Sequence, residues 1–89
     1  MIDENLKEVI FNVFKNPCPN NLTLFSNYYD DDIKCVIEYH VNDIHIDVDD
    51  WYERLHGEKG LWDGCDFNCY QLDILCWLLE LYNNAKYKE

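Results

Sequence analysis

Between Cys69 and Tyr82 apolar residues recur with helical spacing, and neither Gly nor Pro interrupts them. Leu72, Leu75, Cys76 and Leu79 form one stripe. Tyr70, Ile74, Trp77, Leu78 and Leu81 form a second on the opposite side, and Asp73, Glu80 and Asn84 share the one clearly polar sector. A helix apolar on nearly all sides must be covered on nearly all sides. Either the rest of the chain covers both stripes, or Tyr70, Ile74, Trp77 and Leu81 stay open as an apolar interface for a second copy or a partner.

The other elements follow from the same pattern. Asp3 is placed to cap a first helix whose Leu6, Val9, Ile10, Val13 and Phe14 share one face. Asn16-Pro17-Cys18-Pro19-Asn20 ends it, because proline cannot continue a helix. Leu22 to Tyr29 reads as a strand with Leu22, Leu24 and Tyr28 on one side, and Asp30-Asp31-Asp32 as a turn. Ile33 to Val41 and Ile44 to Val48 then form a hairpin about Asn42-Asp43. The register opposes Val41 to Ile44, His40 to His45, Tyr39 to Ile46, Glu38 to Asp47 and Ile37 to Val48. It puts Cys35, Ile37, Tyr39, Val41, Ile44, Ile46 and Val48 on a core face. Lys34, Val36, Glu38, His40, His45, Asp47 and Asp49 fall on the open face. Asp50-Trp51-Tyr52-Glu53 has the form of a capping box for a short helix that Gly57 stops, Glu58 to Gly64 is a loop, and Asp66 caps the last helix. The expected fold is α+β: a helix, a three-stranded antiparallel meander, a short helix and a long C-terminal helix. It forms one domain over residues 1–89.

Charge changes this picture more than size does. Against a hydrophobic fraction of 48%, high enough for a packed core, stand 18 acidic and 7 basic residues, a net charge of −11. Solubility of a small domain needs a magnitude of only about 2–8. The excess points to a basic partner and argues against direct binding to nucleic acid or membrane. The acidic start Met1-Ile2-Asp3-Glu4-Asn5 has no secretory h-region, and no apolar run is long enough to span a bilayer. With five cysteines, an odd number, the expectation is reduced thiols in a cytoplasm, that of a host cell. One Ala and one Arg beside many Asn, Ile, Tyr and Lys residues suggest an AT-rich microbial or phage genome.

The candidate partner-binding residues are acidic. In the expected meander Asp30, Asp31 and Asp32 lie at the same sheet end as Asp49, Asp50 and Glu53. Glu38 and Asp47 extend the cluster along the open face, with only Lys34 and Arg54 to relieve it. Opposed like charges destabilise a sheet, so the pair is expected to serve a partner. Such a surface presents carboxylates where a basic cleft holds phosphates. Helix caps and solvated turns are the plain structural explanation for the same acids.

Other chemistry is incomplete. A calcium loop starting at Asp47 would need Gly at its sixth position and Glu at its twelfth, and the chain has Tyr52 and Glu58 there. His40, His45 and a carboxylate on an open face are a partial zinc set. Cys65 and Cys69 make one short cysteine pair where zinc ribbons need two. Cys76 reads as a small core residue, and a thiol nucleophile would have only His56 as base. No phosphate loop or nucleophile elbow is present. The expectation is a protein that is not an enzyme and has no metal or cofactor.

In size, charge, the triplet Asp30-Asp31-Asp32 and the segment Asp47-Val48-Asp49-Asp50, the chain resembles small acidic phage anti-CRISPR proteins built on a helix, a meander and closing helices. The resemblance implies a DNA-mimicking inhibitor that evades host defence by occupying the Lys- and Arg-lined cleft of a CRISPR effector nuclease or another nucleic-acid-binding protein. The alternative is an immunity protein or antitoxin that blocks a basic toxin active site. A monomer is favoured over a homodimer, because −11 per chain opposes self-association.

Overall fold

The computed structural model describes residues 3–57 and 62–87. The described residues form five α-helices: α1 (Glu4–Lys15), α2 (Pro19–Thr23), α3 (Asp30–His40), α4 (Val48–His56) and α5 (Cys69–Lys86). Short 3-10 turns follow α2 at Leu24–Asn27 and α3 at Val41–Asp43. There is no β-strand among the described residues. The expected α+β meander is therefore wrong, and the regular structure of the described residues is all helical.

The strand assignments fail because tertiary packing overrides β-propensity. Ile33, Val36 and Ile37 have the i, i+3, i+4 spacing of one helical face, and all three are buried on α3. Val36, expected on the open face, is only 2% exposed, whereas Tyr39, expected in the core, is 72% exposed and Cys35 is exposed too. Phe25 is buried in place of Leu24 by the same change of period. Asp30, Asp31 and Asp32 are not a hairpin turn but the first turn of α3, where the helix dipole favours negative charge. Asn42-Asp43 lies in a 3-10 turn. The alternation Ile44, Ile46, Val48 does mark a chain extended at Ile44 and Asp47, but it has no strand beside it.

The helix ends follow local chemistry. The Asp3 carboxylate accepts from the Asn5 and Leu6 amides at 2.8 and 3.3 Å, and α1 stops at Asn16 ahead of Pro17. For α4 the cap is Asp47, which accepts from the Asp50 amide, and not Asp50 itself. Gly57 closes that helix as expected. For α5 the cap is Asn68 and not Asp66. Asn68 accepts from the Gln71 amide at 2.8 Å while the Gln71 side chain accepts from the Asn68 amide at 3.0 Å, a reciprocal capping box. The Gln71 side-chain Nε2 also donates to the Pro19 carbonyl at 3.1 Å, tying α5 to α2.

With extents of 40 × 30 × 17 Å the molecule is two helix layers thick. α5 packs against α2, α3, α4 and the Val41–Asp43 turn, and α1 packs against α2 and α3. Both stripes of α5 are thereby largely covered. Leu75, Leu78, Leu79, Ile74 and Tyr82 are buried, and Leu72, Trp77 and Leu81 are half-buried. Cys76 is exposed and is not a core residue. The expected loop from Glu58 lies outside the described residues as far as Leu61. Beyond it Trp62 is buried at φ 48°, with its ring edge-on to Trp51 at 4.8 Å and its amide donating to the Arg54 carbonyl. A left-handed backbone is unfavourable for tryptophan. Its ring contacts with Trp51 and Phe67 and its backbone bonds to Arg54 and Cys65 offset that cost.

Candidate functional site

The acidic residues expected to bind a partner are all exposed, at two helix N-termini and along two helix faces. Asp30, Asp31 and Asp32 begin α3, and Glu38 lies in its last turn. Asp47 caps α4, Asp49 and Asp50 occupy its first turn, and Glu53 follows. Between described residues Arg54 forms an ion pair with Asp50 at 3.0 Å, and His40 Nδ1 lies 3.4 Å from the Asp43 carboxylate. Asp30, Asp31, Asp32, Glu38, Asp49 and Glu53 thus have no counter-ion among the described residues. The facing of Glu38 and Asp47 across a hairpin disappears with the sheet, and so does the sheet end that was to gather the cluster.

One expected grouping does assemble, in a different form. Tyr70, Asp73, Ile74 and Trp77 stand at i, i+3, i+4 and i+7 on α5 and face the Leu24–Asn27 turn and the start of α3. Between them is an open cleft of about 320 Å³ lined by Phe25, Ser26, Tyr28, Asp30, Ile33, Tyr70, Asp73, Ile74 and Trp77. Phe25, Ile33 and Ile74 are buried and floor it. Asp30, Tyr70 and Asp73 are exposed at its rim, and Tyr28 and Trp77 are half-buried. Three residues of the expected apolar interface thus meet one residue of the acidic cluster. Leu81, the fourth, is packed against the core and is not in the cleft.

Exposed tyrosines beyond Tyr70 are the feature the sequence reading missed. Tyr29, Tyr39, Tyr52 and Tyr70 all stand exposed. Each has a carboxylate within three positions: Asp30, Glu38, Glu53 and Asp73 respectively. For Tyr29 and Tyr39 the assumed strands hid the signal, whereas Tyr70 already stood on the stripe expected to stay open.

The remaining candidates do not come together. His40 turns its Nδ1 to Asp43 and its ring edge to Phe11 at 5.9 Å, while its Nε2 is buried without a hydrogen bond. His45 lies against a separate small cavity beside Phe14 and Lys15. Asp47 is engaged as a helix cap, and Glu58, the twelfth position of the calcium pattern, lies outside the described residues. Among the described residues no three His, Cys, Asp or Glu side chains are grouped to hold a metal ion. Cys76 and His56 do share a second cleft of about 300 Å³ with Tyr52, Glu80 and Asn83, yet no hydrogen bond joins the thiol to the imidazole. No described helix is long and apolar enough to cross a membrane.

No protein-family model matches the chain, and no curated protein or solved structure matches it. The functional reading therefore rests on surface chemistry alone.

Proposed function

We propose that the protein is a non-enzymatic acidic binder of another protein's basic, nucleic-acid-holding surface, where it competes with the nucleic acid. The observation that carries this reading is the set of carboxylates without counter-ions among the described residues, interleaved with exposed tyrosines, on α3, α4 and the start of α5. Unpaired like charges on a domain of net charge −11 raise its self-repulsion, and a cationic partner relieves it. Tyrosine adds contact area at low entropic cost and leaves a polar tip for the rim of an interface. The likeness to anti-CRISPR proteins loses its architectural part, since the meander is absent. Its parts in size, charge and acidic segments remain, and they name a CRISPR effector nuclease as the partner to try first.

The test is affinity capture with the full chain from nuclease-treated host lysate, followed by reconstitution with the purified captured protein. A nucleic-acid-binding protein is expected, released by salt and by excess DNA or RNA. Capture of a basic toxin would assign the immunity role instead. Binding indifferent to both salt and nucleic acid would overturn the reading.

A further inference from the structure

The cleft between α5 and the start of α3 combines features that acidic helix termini alone do not have. Tyr70 and Trp77 stand two turns apart, about 10 Å along α5, with Asp73 between them on the same side. Tyr28 and Asp30 face them from the opposite wall. Among the described residues none of these five side chains makes a hydrogen bond or ion pair, and none of their rings stacks on another ring. The cleft therefore offers aromatic surface and two carboxylates that have no partner among the described residues. Buried Phe25 and Ile33 keep its floor apolar.

A cation with a flat, weakly hydrated face fits this chemistry. Aromatic faces attract cations, and a carboxylate accepts two parallel hydrogen bonds from a planar fork. The guanidinium satisfies both at once. A lysine ammonium is a strongly hydrated point charge and gains less from an apolar floor. We propose that this cleft is a receptor for a single arginine side chain of the basic partner, stacked on Tyr70 or Trp77 and hydrogen-bonded to Asp73 or Asp30. The inference rests on the proposed function and adds to it a defined anchor. The remaining acids steer and the cleft holds.

The test uses the full chain, isotope-labelled, and the capped tripeptide acetyl-Gly-Arg-Gly-amide with its lysine and citrulline counterparts. Saturable shifts are expected at the Trp77 indole N–H and the Tyr70 and Asp73 amides with the arginine peptide. Weaker binding is expected for lysine, and none for citrulline, which keeps the shape but not the charge. Tyr70→Ala and Asp73→Asn, both at exposed positions, should each weaken the arginine peptide about two- to fivefold, with unchanged far-ultraviolet circular dichroism. Equal shifts with citrulline, or arginine shifts confined to Asp47 through Glu53, would overturn the proposal. If the cleft fails in this way while the captured protein is still released by salt, the arginine site falls and the broader function stands. If captured binding is also indifferent to salt, both fall.

Discussion

The Tyr82 hydroxyl donates to the Ile44 carbonyl at 3.1 Å, joining the middle of the chain to the last turns of α5 across 38 residues. Tyr82 is 1% exposed and Ile44 is buried. In a sheet a neighbouring strand would satisfy that carbonyl, and here a side chain does so. Tyr82→Phe keeps the ring, which packs on Phe14 at 5.7 Å, and leaves the carbonyl unpaired. The variant is expected to lose about 1–3 kcal/mol in denaturant unfolding. A loss well under 0.5 kcal/mol would mean that the bond is not maintained.

The same hydroxyl accepts from Lys86 Nζ at 3.1 Å, and this contact raises the lysine above its ordinary 10.5. A lysine whose folded value is raised adds stability that is full below its unfolded value and fades as pH rises through the folded one. The stability difference between the natural chain and Lys86→Met is therefore expected to stay level up to about pH 10 and shrink above it. A difference that grows with alkalinity would contradict the assignment.

The two ends of the chain were legible because their signals are local. Asp3 with its amphipathic run, the stop at Pro17 and Gly57 appear where the caps and breakers place them, and α5 spans its apolar run from Cys69 although its cap is Asn68 and not Asp66. The middle was misread because Ile33, Val36, Ile37 and Val41 are β-branched and Asn42-Asp43 is a favoured hairpin loop. Their helical spacing was equally visible. What decides between the two is burial against α1 and α5, a long-range fact. The cleft suffered the same loss. Tyr70, Ile74 and Trp77 stood out as one face, but only the helical α3 brings Asp30 to them.

Among the described residues Gln71 is the one buried polar residue of the core, 6% exposed, and it makes three hydrogen bonds: two with Asn68 and one with Pro19. Gln71→Ala removes the two made by its side chain and leaves the Pro19 carbonyl without that donor. The expected cost is about 1–3 kcal/mol, with the early hydrogen-exchange loss at the start of α5 and at α2. Asn68→Ala should cost less, about 1 kcal/mol, because it breaks only the capping arm. Equal costs for the two would show that the Pro19 bond adds nothing.

His40 Nε2 is buried without a hydrogen-bond partner, and the ring sits edge-on between Phe11 and Tyr39. A buried polar atom without a partner costs free energy, whereas a phenyl ring in the same place does not carry that cost. Against this stands a weak 3.4 Å contact to exposed Asp43. His40→Phe is expected to raise stability by about 0.5–1 kcal/mol, measured by denaturant midpoint at unchanged slope. A loss would mean that the Asp43 contact outweighs the orphaned nitrogen.

Replacing Asp30, Asp31 and Asp32 together by Asn tests fold and function through opposite consequences of one charge group. Tyr29, which precedes α3, supplies no side-chain cap, so the three carboxylates are what complements the free amides of the first turn. Each is worth about 0.3–1 kcal/mol there, and their mutual repulsion cancels part of the sum. The triple variant is expected to fold with a loss of about 1 kcal/mol. Toward the captured partner it should associate more slowly and with a shallower dependence on salt, because exposed rim charges act mainly on the encounter rate. Asp49→Asn with Glu53→Gln, away from the cleft and from the cap made by Asp47, is the matching control. It should lower the association rate and leave dissociation unchanged. The triple variant should also speed dissociation, since Asp30 lines the arginine cleft. Full-strength binding at low salt in both variants, with the stability loss still present, would show that the acids at these termini serve the helices and not a partner.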